Sequence, residues 1–290
     1  MLYQLKLSRP FSRENSPFGD AEYAFFAFRR KTKARQVTAV FCFTLSQLLT
    51  KSLPVVMGMA LMAESPFNNP FREALRLGLK GAKSNLLPGG VLWILGLILI
   101  VSYYQVEAVA ETFDQVGQWK NSFTPWFAML STAIFGSLVP WLVQATLLPK
   151  DRRQPFRQVP WLFLFWALHG WLVDAFYFLQ SRLFGTQIDA STILVKTLVD
   201  QLVWAPFIAV PQVLLSYLFI ENELSPSRFR AALASKGFLA RAIPLVLANW
   251  VVWFPAVALI YLFPLPLQLP LQNLILALWC LIVSFFAKNA

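Results

Sequence analysis

The chain has 290 residues, of which 57% are hydrophobic and only 13% charged, and its mean hydropathy is +0.56. Soluble domains carry about 25% charged residues, so these values point away from a water-soluble globule and toward an all-α integral membrane protein. The net charge of +11 is read as Lys and Arg placed by the positive-inside rule and by anionic headgroups, not as a nucleic-acid surface.

The first 36 residues are basic, with Lys6, Arg9, Arg13, Arg29, Arg30, Lys31, Lys33 and Arg35. They lack an apolar core followed by a small-residue cleavage site and are expected to lie on the cytoplasm-like side. A hydrophobic run follows at 37–63, interrupted by Lys51 and Pro54. Basic residues flank it on both sides, which predicts a re-entrant or interfacial segment bent near Lys51–Pro54; a seventh crossing is the alternative. Residues 71–83 place Arg72, Arg76 and Lys80 one turn apart beside Phe71, Leu75 and Leu79. That spacing predicts a short helix on the membrane surface.

Six apolar runs long enough to cross ~30 Å of hydrocarbon come next, at about 86–106, 123–148, 158–180, 192–220, 238–263 and 269–287. The segments from 64–84 onward hold 4, 1, 4, 1, 4, 0 and 1 basic residues. This alternation predicts six crossings with both ends of the block on the positive side. The expected organisation is therefore a basic segment 1–36, an N-terminal extension 37–110 and a helical membrane core 120–287.

The fourth run carries the costliest residues. Lys196 and Asp200 stand four apart on one helix face, Gln201 follows, and Pro206 and Pro211 interrupt the backbone downstream. In an α-helical register Pro206 would leave the Leu202 carbonyl without a donor. Charge at such depth is tolerated where it lines a cavity or is met by a neighbouring helix. The preceding run offers His169, Trp171 and Asp174, and the next offers Asn249, followed by Trp253 and the helix-breaking Pro255. Asp174, Lys196 and Asp200 are expected to form one charged group lining an outer vestibule, with a self-satisfied Lys196–Asp200 pair as the alternative. His169 by itself is expected to bond a backbone carbonyl.

One histidine and two cysteines, Cys42 and Cys280, both in apolar runs, cannot supply the three or four N and S ligands of a zinc or iron–sulfur site. There is no glycine-rich phosphate loop, dinucleotide fingerprint or serine-hydrolase elbow. No metal, no cofactor and no enzymatic activity are expected.

The C-terminal half, about 120–287, resembles the family of peroxisomal and mitochondrial integral membrane proteins named for the peroxisomal membrane protein of 22 kDa. The run Asp200-Gln201-Leu202-Val203-Trp204-Ala205-Pro206 stands unbroken; His169-Gly170-Trp171 matches, with Leu172 where the family has Tyr. Trp253-Phe254-Pro255 carries one extra residue between Trp and Pro, and Trp279 and Ser284 match near the end. Phe165-Trp166 stands in place of the family's Gly-Pro. The resemblance implies a compact helical membrane protein, in some members a pore for small solutes. The expected function is channel-like passage of small solutes, with an ion-coupled carrier or a membrane scaffold as alternatives. Expected partners are the lipid bilayer, with anionic lipids on the basic side, small solutes and further copies of the chain. The expected location is a bacterial inner membrane, with a mitochondrial inner or peroxisomal membrane as the alternative.

Overall fold

The computed structural model describes residues 85–150, 153–236 and 238–289, together with scattered residues before 85. The side chains of 279–289 and of a few helical residues elsewhere are not among those described. The segments 1–36 and 37–63 lie outside the described residues. Of the expected surface helix 71–83, the residues that are described are helical, with Glu73, Arg76, Leu77, Lys80 and Lys83 exposed.

Among the described residues every regular element is helical and none is a strand. Helix α1 (Leu86–Gln105) contains no charged residue. It ends at Val106, whose extended backbone turns the chain through 99° into α2 (Glu107–Phe123). Residues 107–122, which lie between the first two expected crossings, are thus a helix. Helices α3 (Trp126–Ala133) and α4 (Val139–Leu147) join through a π-helical turn, Ile134–Leu138, into one rod. Helix α5 (Val159–Phe184) runs back and stops at Gly185, whose φ of 85° lies where an L side chain is disfavoured. Helix α6 (Ala190–Val199) passes through a ten-residue π-helical segment, Asp200–Ala209, into α7 (Val210–Glu221). Helices α8 (Pro226–Lys236), α9 (Phe238–Ile260) and α10 (Leu265–Asn289) complete the chain.

Four of these rods, Trp126–Thr146, Phe156–Phe184, Ala190–Glu221 and Phe238–Ile260, are long and apolar enough to cross a membrane; α1 and α2 meet the same test only as a bent pair. The molecule is an all-α membrane-type bundle. Large apolar side chains such as Ile94, Ile98, Leu164, Leu202 and Phe207 stand exposed on its outside, as lipid-facing positions require. Inside, α3 packs along α5, α1 along α9, and α10 touches α1, α2, α4 and α5. Lipid tails are as apolar as leucine, so close packing and polar contacts hold such helices together. Gly170 lets α5 approach the Ala128 carbonyl and Thr132 of α3, and Gly136 makes room for Trp166. Asn273 of α10 clamps α3, accepting from Thr132 Oγ1 at 3.0 Å and donating to Ser131 Oγ at 3.0 Å.

The start of α6 is capped by Asp189, whose carboxylate accepts from the hydroxyl and N–H of Ser191 and from the N–H and hydroxyl of Thr192. These bonds, led by the Ser191 hydroxyl, hold the Asp189 carboxyl down at about 2. The folded value lies below the ordinary 3.8, so the stabilisation is complete above that ordinary value and disappears as pH falls through about 2. Asp189→Ala should cost about 1 kcal/mol at neutral pH. Hydrogen exchange at the first turn of α6 should report the loss at pH 6, with the variant and parent converging as the pH approaches 2.

Candidate functional site

A network of buried polar side chains sits in the half of the bundle nearer the α5–α6 and α9–α10 connections. Helix α5 contributes Asp174, Tyr177 and Gln180 at three-residue steps, all at most 8% exposed. Helix α6 and its π segment contribute Lys196, Thr197, Asp200 and Gln201, the middle of α9 contributes Asn249 and Trp250, and the turn after α9 contributes Tyr261. Helix α10 adds Gln272.

Asp200 is the centre. Its Oδ2 accepts from the Tyr261 hydroxyl at 2.9 Å, and its Oδ1 accepts from Gln201 Nε2 at 2.8 Å. The Tyr261 oxygen in turn accepts from Gln180 Nε2 at 2.7 Å. Tyr177 packs edge-on against Tyr261, with ring centroids 5.6 Å apart, and donates to Gln272 Oε1 at 2.9 Å. Gln201 Oε1 faces Asn249 Nδ2 at 3.4 Å. Two buried acceptors at this site, Gln180 Oε1 and Thr197 Oγ1, have no hydrogen-bond partner.

The expected charged group is not formed as drawn from the sequence. Asp174 pairs with Lys120 of α2, at 2.7 Å and with both side chains about nine-tenths buried, rather than with Lys196. Among the described residues no carboxylate lies within salt-bridge distance of Lys196, so the alternative, a self-satisfied Lys196–Asp200 pair, is also absent. Both Asp200 oxygens are already engaged, and the Lys196 ammonium instead lies over the Tyr261 ring, 5.6 Å from its centroid. That cation–π contact takes the place of a counter-ion.

The freed carbonyl is also shifted by one residue. Across Asp200–Ala209 the backbone follows the i→i+5 register, as the bond from Val210 N–H to the Ala205 carbonyl shows. In that register Pro206 deprives the Gln201 carbonyl, not the Leu202 carbonyl, of its N–H. Trp250 Nε1 fills the gap by donating to the Gln201 carbonyl at 2.7 Å.

His169 lies apart from these bonds. Its Nδ1 faces Gln212 Oε1 of α7 at 3.2 Å, so its partner is a side-chain amide and not the expected backbone carbonyl. Phe165 and Trp166 flank the ring. Of the motif residues, Ala205 and Pro255 are buried, Trp253 is half-buried against the core and Trp171 is exposed. Pro206 lies inside the π segment, Pro211 opens α7 and Pro255 lies inside α9. The side chains of Trp279 and Ser284 are outside the described residues.

Lys120, Tyr177, Gln180, Tyr261 and Gln272 were not singled out by the sequence reading. Lys120 carried one signal, as the lone basic residue among Glu107, Glu111 and Asp114. Tyr177 and Gln180 carried another, by continuing the Asp174 stripe in three-residue steps along α5. Tyr261, in the turn after α9, and Gln272, in the helix beyond it, carried none.

In this conformation the charged members of the network are closed off from solvent: Asp174, Lys196 and Asp200 are 8%, 3% and 5% exposed. A cavity between α1, α9 and α10 is lined by apolar side chains including Leu92, Leu99, Leu259, Phe263 and Leu271, and excludes the network. Among the described residues no three His, Cys, Asp or Glu side chains converge as metal ligands. Compared with protein-family models, with curated proteins and with solved structures, the chain finds no match.

Proposed function

We propose that this chain is a six-span membrane protein that passes small solutes, with the Asp200 network forming the closed part of its pathway. The observation that carries the reading is a hydrogen-bonded polar network, drawn from α5, α6, α9 and α10, built around a ten-residue π-helical segment inside an apolar bundle. Ionisable groups at such depth are costly and are kept where they act on solutes or ions, and π-helical turns recur at functional sites. Six crossings follow from the alternation of basic loops, counting α1 and α10 with the four long rods. The chain is proposed to be a divergent, bacterial inner-membrane relative of the 22 kDa peroxisomal membrane protein family, on the motif residues Asp200, Gln201, Ala205 and Pro206. Its role is taken as non-enzymatic.

The basic end supports anionic lipid as a partner. Lys150, Arg153, Arg157, Arg228 and Arg230 are exposed there, and Glu223 bridges Arg157 and Arg228. Self-association of the chain belongs to the same proposal.

The test is release of a size series of small uncharged and charged solutes from liposomes containing the purified protein. Asp200→Asn keeps the shape and removes the charge. It should change the release rate about tenfold, the effect of roughly 1.4 kcal/mol on a barrier. Rates identical to protein-free liposomes for the parent chain would sink the proposal.

A structural staple, and with it a scaffold role, is the second reading. It is favoured by the burial of Asp200 and by the neutral donors already satisfying both of its oxygens. On that reading Asp200→Asn lowers the unfolding temperature and leaves release unchanged. A saturable, pH-dependent uptake would instead favour an ion-coupled carrier.

A further inference from the structure

Helix α2 divides into three flanks. At 3.6 residues per turn they point roughly 120° apart. The first holds Ala110, Gly117 and Lys120, all buried, with Phe113 and Asp114 half-buried. It faces the bundle: Lys120 reaches Asp174 of α5, Asp114 accepts from the Tyr103 hydroxyl at 3.0 Å, and Gly117 lies against Pro266 and Leu267. The second flank is polar and exposed, with Glu107, Glu111, Gln115 and Gln118. The third is mainly apolar: Val109 and Val116 are half-buried, Trp119 and Phe123 are 53% and 62% exposed, and the exposed Thr112 between them turns its hydroxyl back onto the Ala108 carbonyl.

A helix that only capped the bundle end in water would need two sectors, one inward and one polar. The third sector needs a third environment. It is continuous with lipid-facing surface on both sides. The exposed stripe of α1, through Val91, Ile94, Ile98 and Val101, reaches Val106 at the bend. Beyond α2 the apolar flank runs on into Trp126, 64% exposed at the start of the membrane-crossing rod. The 99° turn at Val106 lays α2 across the direction of α1.

We infer that α2 lies in the lipid–water interface at this end of the bundle, as a lipid-docking helix held to the protein by Lys120. Trp119 and Phe123 seat among headgroups and upper acyl chains, where aromatic rings are favoured. Glu107, Glu111 and Gln115 face water. The acidic flank gives the helix no attraction to anionic headgroups, so the partner is a zwitterionic lipid surface gripped through apolar contact.

The experiment uses the full chain, lacking Cys42 and Cys280, reconstituted in phosphatidylcholine vesicles. Single cysteines replace Glu111, Gln115, Gln118, Val116, Trp119 and Phe123 in turn, and each is spin-labelled. Collision rates with oxygen, which concentrates in lipid, and with a water-soluble nickel chelate are then compared. The expected result alternates with the helix: nickel dominates at 111, 115 and 118, and oxygen dominates at 116, 119 and 123. Nickel access at all six positions would overturn the inference by making α2 a solvated cap. Oxygen dominance at all six would overturn it by making α1 and α2 one broken crossing. All six positions are exposed or half-buried, so the labels leave the bundle contacts of Lys120 and Gly117 intact.

Discussion

Gly170→Ala is expected to destabilise the protein by about 3 kcal/mol or more, at the upper end of what overpacking costs. A Cβ at this position would stand 2.4 Å from Thr132 Oγ1 and 2.5 Å from the Ala128 carbonyl oxygen. The carbonyl is backbone, so no rotamer change relieves the clash; α3 and α5 must separate. That separation would also disturb the bond from Thr132 to Asn273 and the one from Asn273 to Ser131, so the damage extends to α10. Gly90→Ala is the matched control, because a Cβ there meets nothing within 4 Å. Alanine is the better helix former by about 1 kcal/mol, so that variant should be neutral or slightly stabilised. Equilibrium unfolding of both variants in one detergent would decide the matter. Equal midpoints would contradict the close approach of α3 and α5.

Removing either partner of the Lys120–Asp174 pair should cost about 3–5 kcal/mol, because the remaining charge is left buried without a counter-ion. Both side chains are about nine-tenths buried at 2.7 Å separation. Replacing both, as in Lys120→Met with Asp174→Leu, should recover most of the loss, since apolar side chains of similar volume remove the charge and its desolvation together. The double-mutant cycle measures the coupling, and additive losses would contradict a direct pair. Because Lys120 is the polar tie of α2 to α5, Lys120→Met should also free the C-terminal half of α2, seen as faster hydrogen exchange there than in α5.

Much of the architecture was legible from residue order. Apolar length marked six runs, and four of them are single rods long and apolar enough to cross a membrane, because a chain in hydrocarbon must satisfy its own backbone and has few ways to do so. The Asp-Gln pair and Pro206 also marked the place where the backbone leaves the α register. The stretch 107–122 does not stand out as a helix in the sequence, because its composition is mixed. Its apolar residues occupy two separate flanks, one for the bundle and one opposite the acidic stripe, so no single apolar run appears. The partners of the site were less legible. Lys196 and Asp200 satisfy the i,i+4 rule for an ion pair, yet Tyr261 from across the bundle and the adjacent Gln201 occupy the carboxylate, and the ammonium lies over the Tyr261 ring.

By itself, then, the sequence determined the helical, membrane-type character of the chain and marked the stretch around Asp200 and Pro206 where the backbone is irregular. These depend on local composition and on covalent properties of single residues. Only the tertiary structure decided that Lys120 belongs to Asp174, that Trp250 completes the Gln201 carbonyl and that Asp200 is closed off from solvent. Those outcomes depend on which helices approach across 49 to 61 residues of intervening chain. Close packing at Gly170 and Gly136 likewise sets the approach of α5 to the α3–α4 rod, and hydropathy carries no record of it.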